Sequence, residues 1–174
     1  MSNATRITDA TCRIELNGGL FAIIDSRDFR EVSKYRWYAM QWNGRITGVI
    51  AGSIVGNVLL HRVVMQPEAG FDVDHRNGNP LDNRRCNLRL ATRSQNCQNR
   101  QKRFGTVGSQ YKGVFRSGRR WRAFIRVKGV RSHLGQFDSE MEAAIAYDDA
   151  ARRFFGEFAR PNFARDGECS CLAG

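Results

Sequence analysis

Apolar and polar residues alternate over short runs through the first third of the chain, a period-two pattern that belongs to strands with one buried face. Arg13-Ile14-Glu15-Leu16 alternates cleanly, Asn17-Gly18-Gly19 interrupts, and Leu20 to Ile24 resumes the apolar run. Strands are therefore expected on either side of a turn. A short helix fits Arg27 to Tyr35, and Trp37 to Trp42 and Val58 to Val64 read as further strands. The stretch from Arg6 to Met65 is expected to form a small β-rich layer that supports the polar segment C-terminal to it.

The texture then changes twice. From Asp72 to Arg100 the chain is crowded with Asn, Asp and Arg, and 101–110, with Lys102, Arg103, Gly105 and Gly108, reads as a basic linker. From Tyr111 to Phe163 the pattern becomes regular again. Ser117-Gly118 and Lys128-Gly129 are turn signals separating three strands. Ser139-Glu140-Met141-Glu142 is a capping box opening a helix through about Phe155. The alanines of that helix (Ala143, Ala144, Ala146, Ala150 and Ala151) let it approach a sheet closely. The expected fold class is α+β: a β-rich N-terminal domain over 1–100, the linker, a small three-stranded antiparallel sheet packed on one helix over 111–163, and a tail over 164–174.

Charge narrows the function. Lys and Arg number 28 against 17 Asp and Glu, giving a net charge of +11 and a pI near 10.2. Most of the excess is arginine, whose planar fork matches phosphate and guanine edges. With aromatics interleaved, the balance points to nucleic acid. No segment approaches the roughly 18 apolar residues of a membrane span, and Met1 to Arg13 lacks the apolar run of a signal peptide. The cysteines Cys12, Cys86, Cys97, Cys169 and Cys171 form an odd set without CxxC spacing, so free thiols are expected rather than a disulfide framework or a zinc ribbon. The expected compartment is the cytoplasm, that of the host cell if the chain is phage-encoded.

The chemistry concentrates in Val73-Asp74-His75-Arg76-Asn77-Gly78-Asn79-Pro80-Leu81-Asp82-Asn83-Arg84-Arg85-Cys86-Asn87-Leu88-Arg89. So many side chains that compete with backbone hydrogen bonding rarely gather for stability alone. Asn77-Gly78 is a turn signal, which puts Asp74 and His75 at the end of a strand entering a tight loop. Thr92-Arg93-Ser94-Gln95 is a second capping box, starting a helix at about Arg93 on which Asn96 and Asn99 share a face.

This run resembles the HNH nucleases, specifically the phage-type and intron-type subgroup with its DHxNGNxxDNRxxNLR signature. The resemblance implies a β-hairpin and a helix wrapped around one divalent metal, the ββα-metal fold. It implies His75 as the general base that activates water, a role suited to a group titrating near neutrality. It implies Asn87 as the residue that pins the loop, and Asp74 and Asn96 as the metal ligands, with Asn99 an alternative one turn later. Asp74 and Asn96 stand where the best-known form of the family has histidines. Hard oxygen donors argue for Mg²⁺ or Mn²⁺ over Zn²⁺. His61 is read as a packing residue near a strand end, with a place behind the site as the alternative. Arg84, Arg85, Arg89 and Arg93 are candidates for phosphate, with one or two of them expected to matter, Arg84 and Arg93 first.

In the C-terminal strands alternation sends Trp121, Ala123, Ile125 and Val127 one way and Arg120, Arg122, Phe124 and Arg126 the other. Val130, Ser132 and Leu134 are expected to face the helix, leaving Arg131 and His133 outward, with Arg116 joining them from the first strand. Such a face fits a major groove. The stretch is similar to the plant ethylene-response-factor (Apetala-type) DNA-binding domain through Tyr111-Lys112-Gly113-Val114, Trp121-Arg122-Ala123, Leu134-Gly135-Gln136-Phe137, Glu142-Ala143-Ala144-Ile145-Ala146-Tyr147-Asp148 and Asn162-Phe163. That resemblance implies that the outward side chains contact bases and phosphates. Here His133 replaces the tryptophan of many relatives, so sequence preference does not transfer.

The sequence thus reads as a metal-dependent endonuclease of homing or mobile-element type, monomeric, acting on double-stranded DNA, with a cutter tethered to a reader. One rival is a DNA-binding regulator whose nuclease site has decayed, which the joint presence of Asp74, His75, Asn87 and Asn96 opposes. The other is an RNA-binding protein, weakened by the shortage of aromatic residues expected on the sheet face, Phe124 excepted.

Overall fold

A computed structural model describes residues 4–6, 10–53, 56–99 and 108–164. Most of the linker expected over 101–110 and of the tail expected over 164–174, with Cys169 and Cys171, lies outside the described residues. The chain divides into two compact units at the Arg93/Ser94 boundary. Strands and helices are mixed, and every sheet is small and antiparallel.

The N-terminal unit carries three sheets. Strands β1 (Ala4–Arg6), β2 (Thr11–Glu15) and β3 (Phe21–Asp25) form the first. Where a helix was expected over Arg27 to Tyr35, a 3-10 turn, Ser26–Asp28, runs directly into a single α-helical turn, α1 (Phe29–Val32). The second sheet joins β4 (Tyr38–Trp42), β5 (Arg45–Ser53) and β6 (Gly56–Leu59); β5 is a strand that the alternation did not single out. The strand expected over Val58 to Val64 is corrected: it ends at Leu59, and α2 (Leu60–Met65) takes over. The reason is the burial of Leu60 and Val64, 0% and 1% exposed, which stand four apart and share one helix face. That spacing overrides the β-branched composition of the run.

The third sheet is the hairpin β7 (Asp72–His75) and β8 (Leu88–Ala91). A continuous core from Cys12, Ile14, Ile24, Val32, Trp37, Ala39, Val49, Leu60, Val64, Val73 and Leu88 joins β2, β3, α1, β4, β5, α2 and the hairpin. After it comes the short helix α3 (Arg93–Gln98), which starts on the unit boundary.

In the C-terminal unit β9 (Val114–Ser117), β10 (Arg120–Val127) and β11 (Val130–Phe137) pair in the order β11-β10-β9. Helix α4 (Glu140–Phe155) covers one face. Its start is the capping box read from the sequence: Ser139 accepts from the Glu142 N–H and Glu142 reaches back to the Ser139 N–H. The alanine face does what small residues allow, with Ala143, Ala144 and Ala151 all 0% exposed against the sheet. Gly113 shows how close the approach is. Its φ is +78°, and a Cβ there would lie 2.0 Å from the Tyr147 ring. Buried Asp148 closes the unit by accepting from the backbone N–H groups of Asn162 and Phe163 at 2.7 and 2.8 Å, while Asn162 bonds both the N–H and the carbonyl of Lys112.

Candidate active site and basic sheet face

The loop 76–87 between β7 and β8 is held by its own polar side chains. The Asn77 side chain accepts from the Asn79 N–H and Asn79 from the Leu81 N–H, two Asx turns in succession. Asn87, 1% exposed, crosses the loop: its Oδ1 accepts from the Asn77 N–H at 3.0 Å and its Nδ2 donates to the Asp82 carbonyl at 2.7 Å. Asp82 accepts from Asn77 Nδ2 and from the fork of Arg84, at 2.8 and 2.9 Å. These bonds satisfy polar groups that burial would otherwise leave unpaired.

The loop is also tied to the scaffold. The Asn83 N–H donates to the Ile23 carbonyl, the Ile23 N–H to the Leu81 carbonyl, and the Arg85 N–H to the Asp25 carboxylate. The Arg85 guanidinium bonds Asp28 and the Val64 carbonyl, at 2.7 Å each. The Arg84 fork, expected on phosphate, is turned instead onto Asp82, with only 19% of its side chain exposed.

His75 closes β7. Its Nε2 lies 3.2 Å from Asn83 Oδ1, and the Nδ2 of Asn83 donates to the Pro80 carbonyl at 3.1 Å. A carbonyl cannot donate, so the amide orientation of Asn83 is set and Nε2 must be the donor in the neutral imidazole. Nδ1 is then the nitrogen that can take up a proton. Burial pushes the His75 pKa below its ordinary value, against the Asn83 hydrogen bond and the charges of Asp74 and Asp82, which raise it. The His61 ring of α2 stands edge-on to His75 with centroids 5.2 Å apart at 88°. Burial first, then the charges of His75 and Arg62, push His61 down to about 4, with Asp72 opposing.

Asp74 leaves the hairpin on the opposite face. Its cross-strand neighbour is Arg89, which donates through Nε and Nη2 to Asp74 Oδ2 at 2.8 and 2.6 Å. Both side chains are nearly buried, 7% and 5% exposed. Among the described residues no three or more His, Cys, Asp or Glu gather where they could hold a metal ion. Half-buried Asn96 and buried Asn99 lie on α3 and just after it, in the C-terminal unit. Arg93 is exposed at the first position of α3.

Thus the hairpin brings His75 and Asn87 into one hydrogen-bonded loop with Asn83, and pairs Asp74 with Arg89. The sequence assigned Asn83 no role; Arg89, a phosphate candidate there, is buried against Asp74 instead, and His61, read there as a packing residue, stands edge-on to His75. Asn83 sat inside the motif as one asparagine among several, and only the strand register singles out Arg89.

On the C-terminal sheet Arg122, Arg126, Arg131 and His133 are exposed on the face away from α4, and Arg126 pairs directly with Arg131 and Phe124 with His133. Arg120 is exposed and pairs with Asp138 at 2.8 Å. Arg116 is corrected. The register sets it opposite Trp121, and antiparallel partners share a face. Its guanidinium lies 5.8 Å from the Trp121 ring, so it belongs to the helix side at the sheet's end. Phe115 takes the outward place instead, opposite Arg122.

Known proteins resemble both units. A family model described as HNH endonuclease matches residues 58–98, the span that holds α2, the hairpin and α3. An HNH endonuclease of Acanthamoeba polyphaga mimivirus is 32% identical over 151 residues, 83% of this chain and 75% of the viral protein. Dehydration-responsive element-binding protein 2A of Oryza sativa subsp. indica is 49% identical over 57 residues, 31% of this chain and 21% of that protein. The 2D protein of Arabidopsis thaliana is 49% identical over 55 residues, 30% of this chain and 27% of its own length. The chain therefore spans only about a quarter or less of these plant proteins. The viral similarity runs along most of both chains and the family match encloses the histidine loop: the chain belongs to the HNH endonucleases.

Proposed function

We propose that the protein is a divalent-metal-dependent endonuclease of duplex DNA, of homing or mobile-element type, in which His75 is the general base and the C-terminal sheet holds the substrate. The observation that carries the reading is the bond from His75 Nε2 to the buried, oriented amide of Asn83. It leaves Nδ1 to take the proton of an attacking water, and a lowered pKa keeps the ring neutral, hence basic, at neutral pH. Asn87 holds the loop from which His75 projects and acts on geometry alone.

Asp74 and Asn96 would hold the ion. The donor set suits Mg²⁺ or Mn²⁺: one buried carboxylate and an amide oxygen are hard ligands. With no larger acidic or histidine cluster among the described residues, such an ion would keep water and substrate phosphate in its remaining positions, as Mg²⁺ does. When bound, it would offset the charge gathering on the phosphate and on the leaving oxygen. Arg89 holds the Asp74 carboxylate at the strand through two hydrogen bonds to Oδ2. Arg93 at the start of α3, and Arg120, Arg122, Arg126, Arg131 and His133 on the sheet, would meet DNA, with exposed Arg116 reaching phosphate from the sheet's end. A short plant-like stretch of about the length of the sheet-and-helix unit supports that assignment. The test is cleavage of duplex DNA with Mg²⁺ against EDTA: cleavage only with the ion upholds the reading, and cleavage undiminished by EDTA removes the metal from it.

A further inference from the structure

The outward face of the C-terminal sheet is not uniformly charged. Phe115 and Phe124 stand with ring centroids 5.9 Å apart and planes at 72°, and His133 lies 4.9 Å from Phe124. Phe115 is 46% exposed on the side away from the core, so folding gains little from it. The guanidinium of Arg131 fills the corner, its carbon 3.9 Å from the Phe124 centroid and 5.0 Å from that of Phe115. A cation held over a ring this closely is ordered before any ligand arrives.

Stacking platforms for single strands need open ring faces that successive bases can cover. Here the two rings are nearly perpendicular and Arg131 lies over Phe124, so the corner offers aromatic edges beside a fixed fork. In a major groove the apolar group that such edges can meet is a pyrimidine C5-methyl, and the preferred match of the fork is guanine O6 and N7. Resting on the reading of this sheet as a duplex-binding face, we propose that the Phe115–Phe124–Arg131 corner reads a thymine next to a guanine. The phenylalanines take the thymine methyl, and Arg131 takes the guanine. A 5-methylcytosine carries the same methyl but shows an amino donor beside it, whereas thymine shows the O4 acceptor. With Arg131 on the guanine, its cross-strand neighbour Arg126 and the Phe115 neighbour Arg122 remain beside the corner and bring only donors, which favours the thymine O4.

The test uses the full chain in EDTA, so that bound DNA stays intact. Duplexes retained from a randomised-core library define a preferred site, which is then synthesised with thymine, with uracil in its place, and with cytosine or 5-methylcytosine at the same position. The uracil duplex is expected to bind about fourfold more weakly for each methyl touched, and 5-methylcytosine no better than cytosine. Phe115→Ala and Phe124→Leu should each shrink the thymine–uracil difference. Arg131→Lys should relax the guanine preference by about five- to 150-fold. Equal binding of thymine and uracil duplexes by the wild type overturns the inference while leaving duplex binding intact. An equal gain from 5-methylcytosine overturns the choice of thymine, and stronger binding to single strands than to duplex replaces the inference with stacking. Failure to retain any duplex overturns the reading of the sheet itself.

Discussion

Asn83 Oδ1 accepts a 3.2 Å hydrogen bond from His75 Nε2 while its amide nitrogen is committed to the Pro80 carbonyl. A side chain with both ends fixed sets which imidazole nitrogen carries the proton. Asn83→Leu should therefore lower the cleavage rate about tenfold or more, within the roughly 10²- to 10⁴-fold that a positioned base contributes. Asn83→Asp should restore the hydrogen bond but place a negative charge beside the ring. That favours imidazolium, so the acid limb of the pH–rate profile should move to higher pH. A limb that stays in place in Asn83→Asp would contradict the contact.

The wild-type profile is itself a prediction. As the proposed general base His75 would act when neutral, and burial holds its pKa below the ordinary imidazole value. Cleavage should thus rise with pH along a limb lying below 6.5 and be flat through neutrality. The rate against pH at saturating metal measures this, and a midpoint above 7 would count against His75 as the base.

His61 links the site to stability. Its folded pKa is about 4 against 6.5 in the unfolded chain, so the unfolded state binds the extra proton between those values. Stability is full above 6.5 and is lost as pH falls toward 4, by an amount on the order of 2–3 kcal/mol for this one group. His75 shifts in the same direction, so comparison with His61→Phe isolates the share of His61. That variant should lose less stability between pH 7 and 4.5 in urea titrations.

Arg85 is a strut. It spans Asp28, 6% exposed, and the Val64 carbonyl, and its removal leaves a buried carboxylate without its cation. Arg85→Met should destabilise the N-terminal unit by about 1–3 kcal/mol, read as a fall in urea midpoint. A change confined to DNA affinity would instead make Arg85 a phosphate contact.

On the sheet, Arg122→Gln and Arg126→Gln should weaken duplex binding and each reduce the slope of log affinity against log salt by about one. Circular dichroism should be unchanged, since both side chains are exposed. An unaltered salt slope would remove them from the interface.

Local rules carried much of this fold into the sequence. The Ser139–Glu142 box, the two glycine turns and the alanine face gave the C-terminal sheet and helix nearly residue by residue, because each is a short-range signal. Leu60 and Val64 misled because a β-branched run of this length satisfies either period until a core chooses. Arg116 misled because alternation fixes faces within a strand, whereas facing between strands depends on register. At the site, the motif put His75 at a strand end and gave Asn87 the task of pinning the loop, and the structure has His75 closing β7 and Asn87 bonded across that loop. The motif gave no sign that Asn83 would touch the histidine or that Arg89 would engage Asp74. Those are through-space pairings, set by how the loop folds back and how β7 meets β8.

In the proposed division of labour His75 cuts and the C-terminal sheet binds. Supercoiled plasmid carrying the preferred site, incubated with Mg²⁺ and either wild type or His75→Ala, tests it most directly when duplex retention is measured on the same preparations. Wild type should give nicked or linear product, the variant should lose at least about a hundredfold in rate, and both should retain duplex equally. Cleavage by His75→Ala at the wild-type rate would contradict that division.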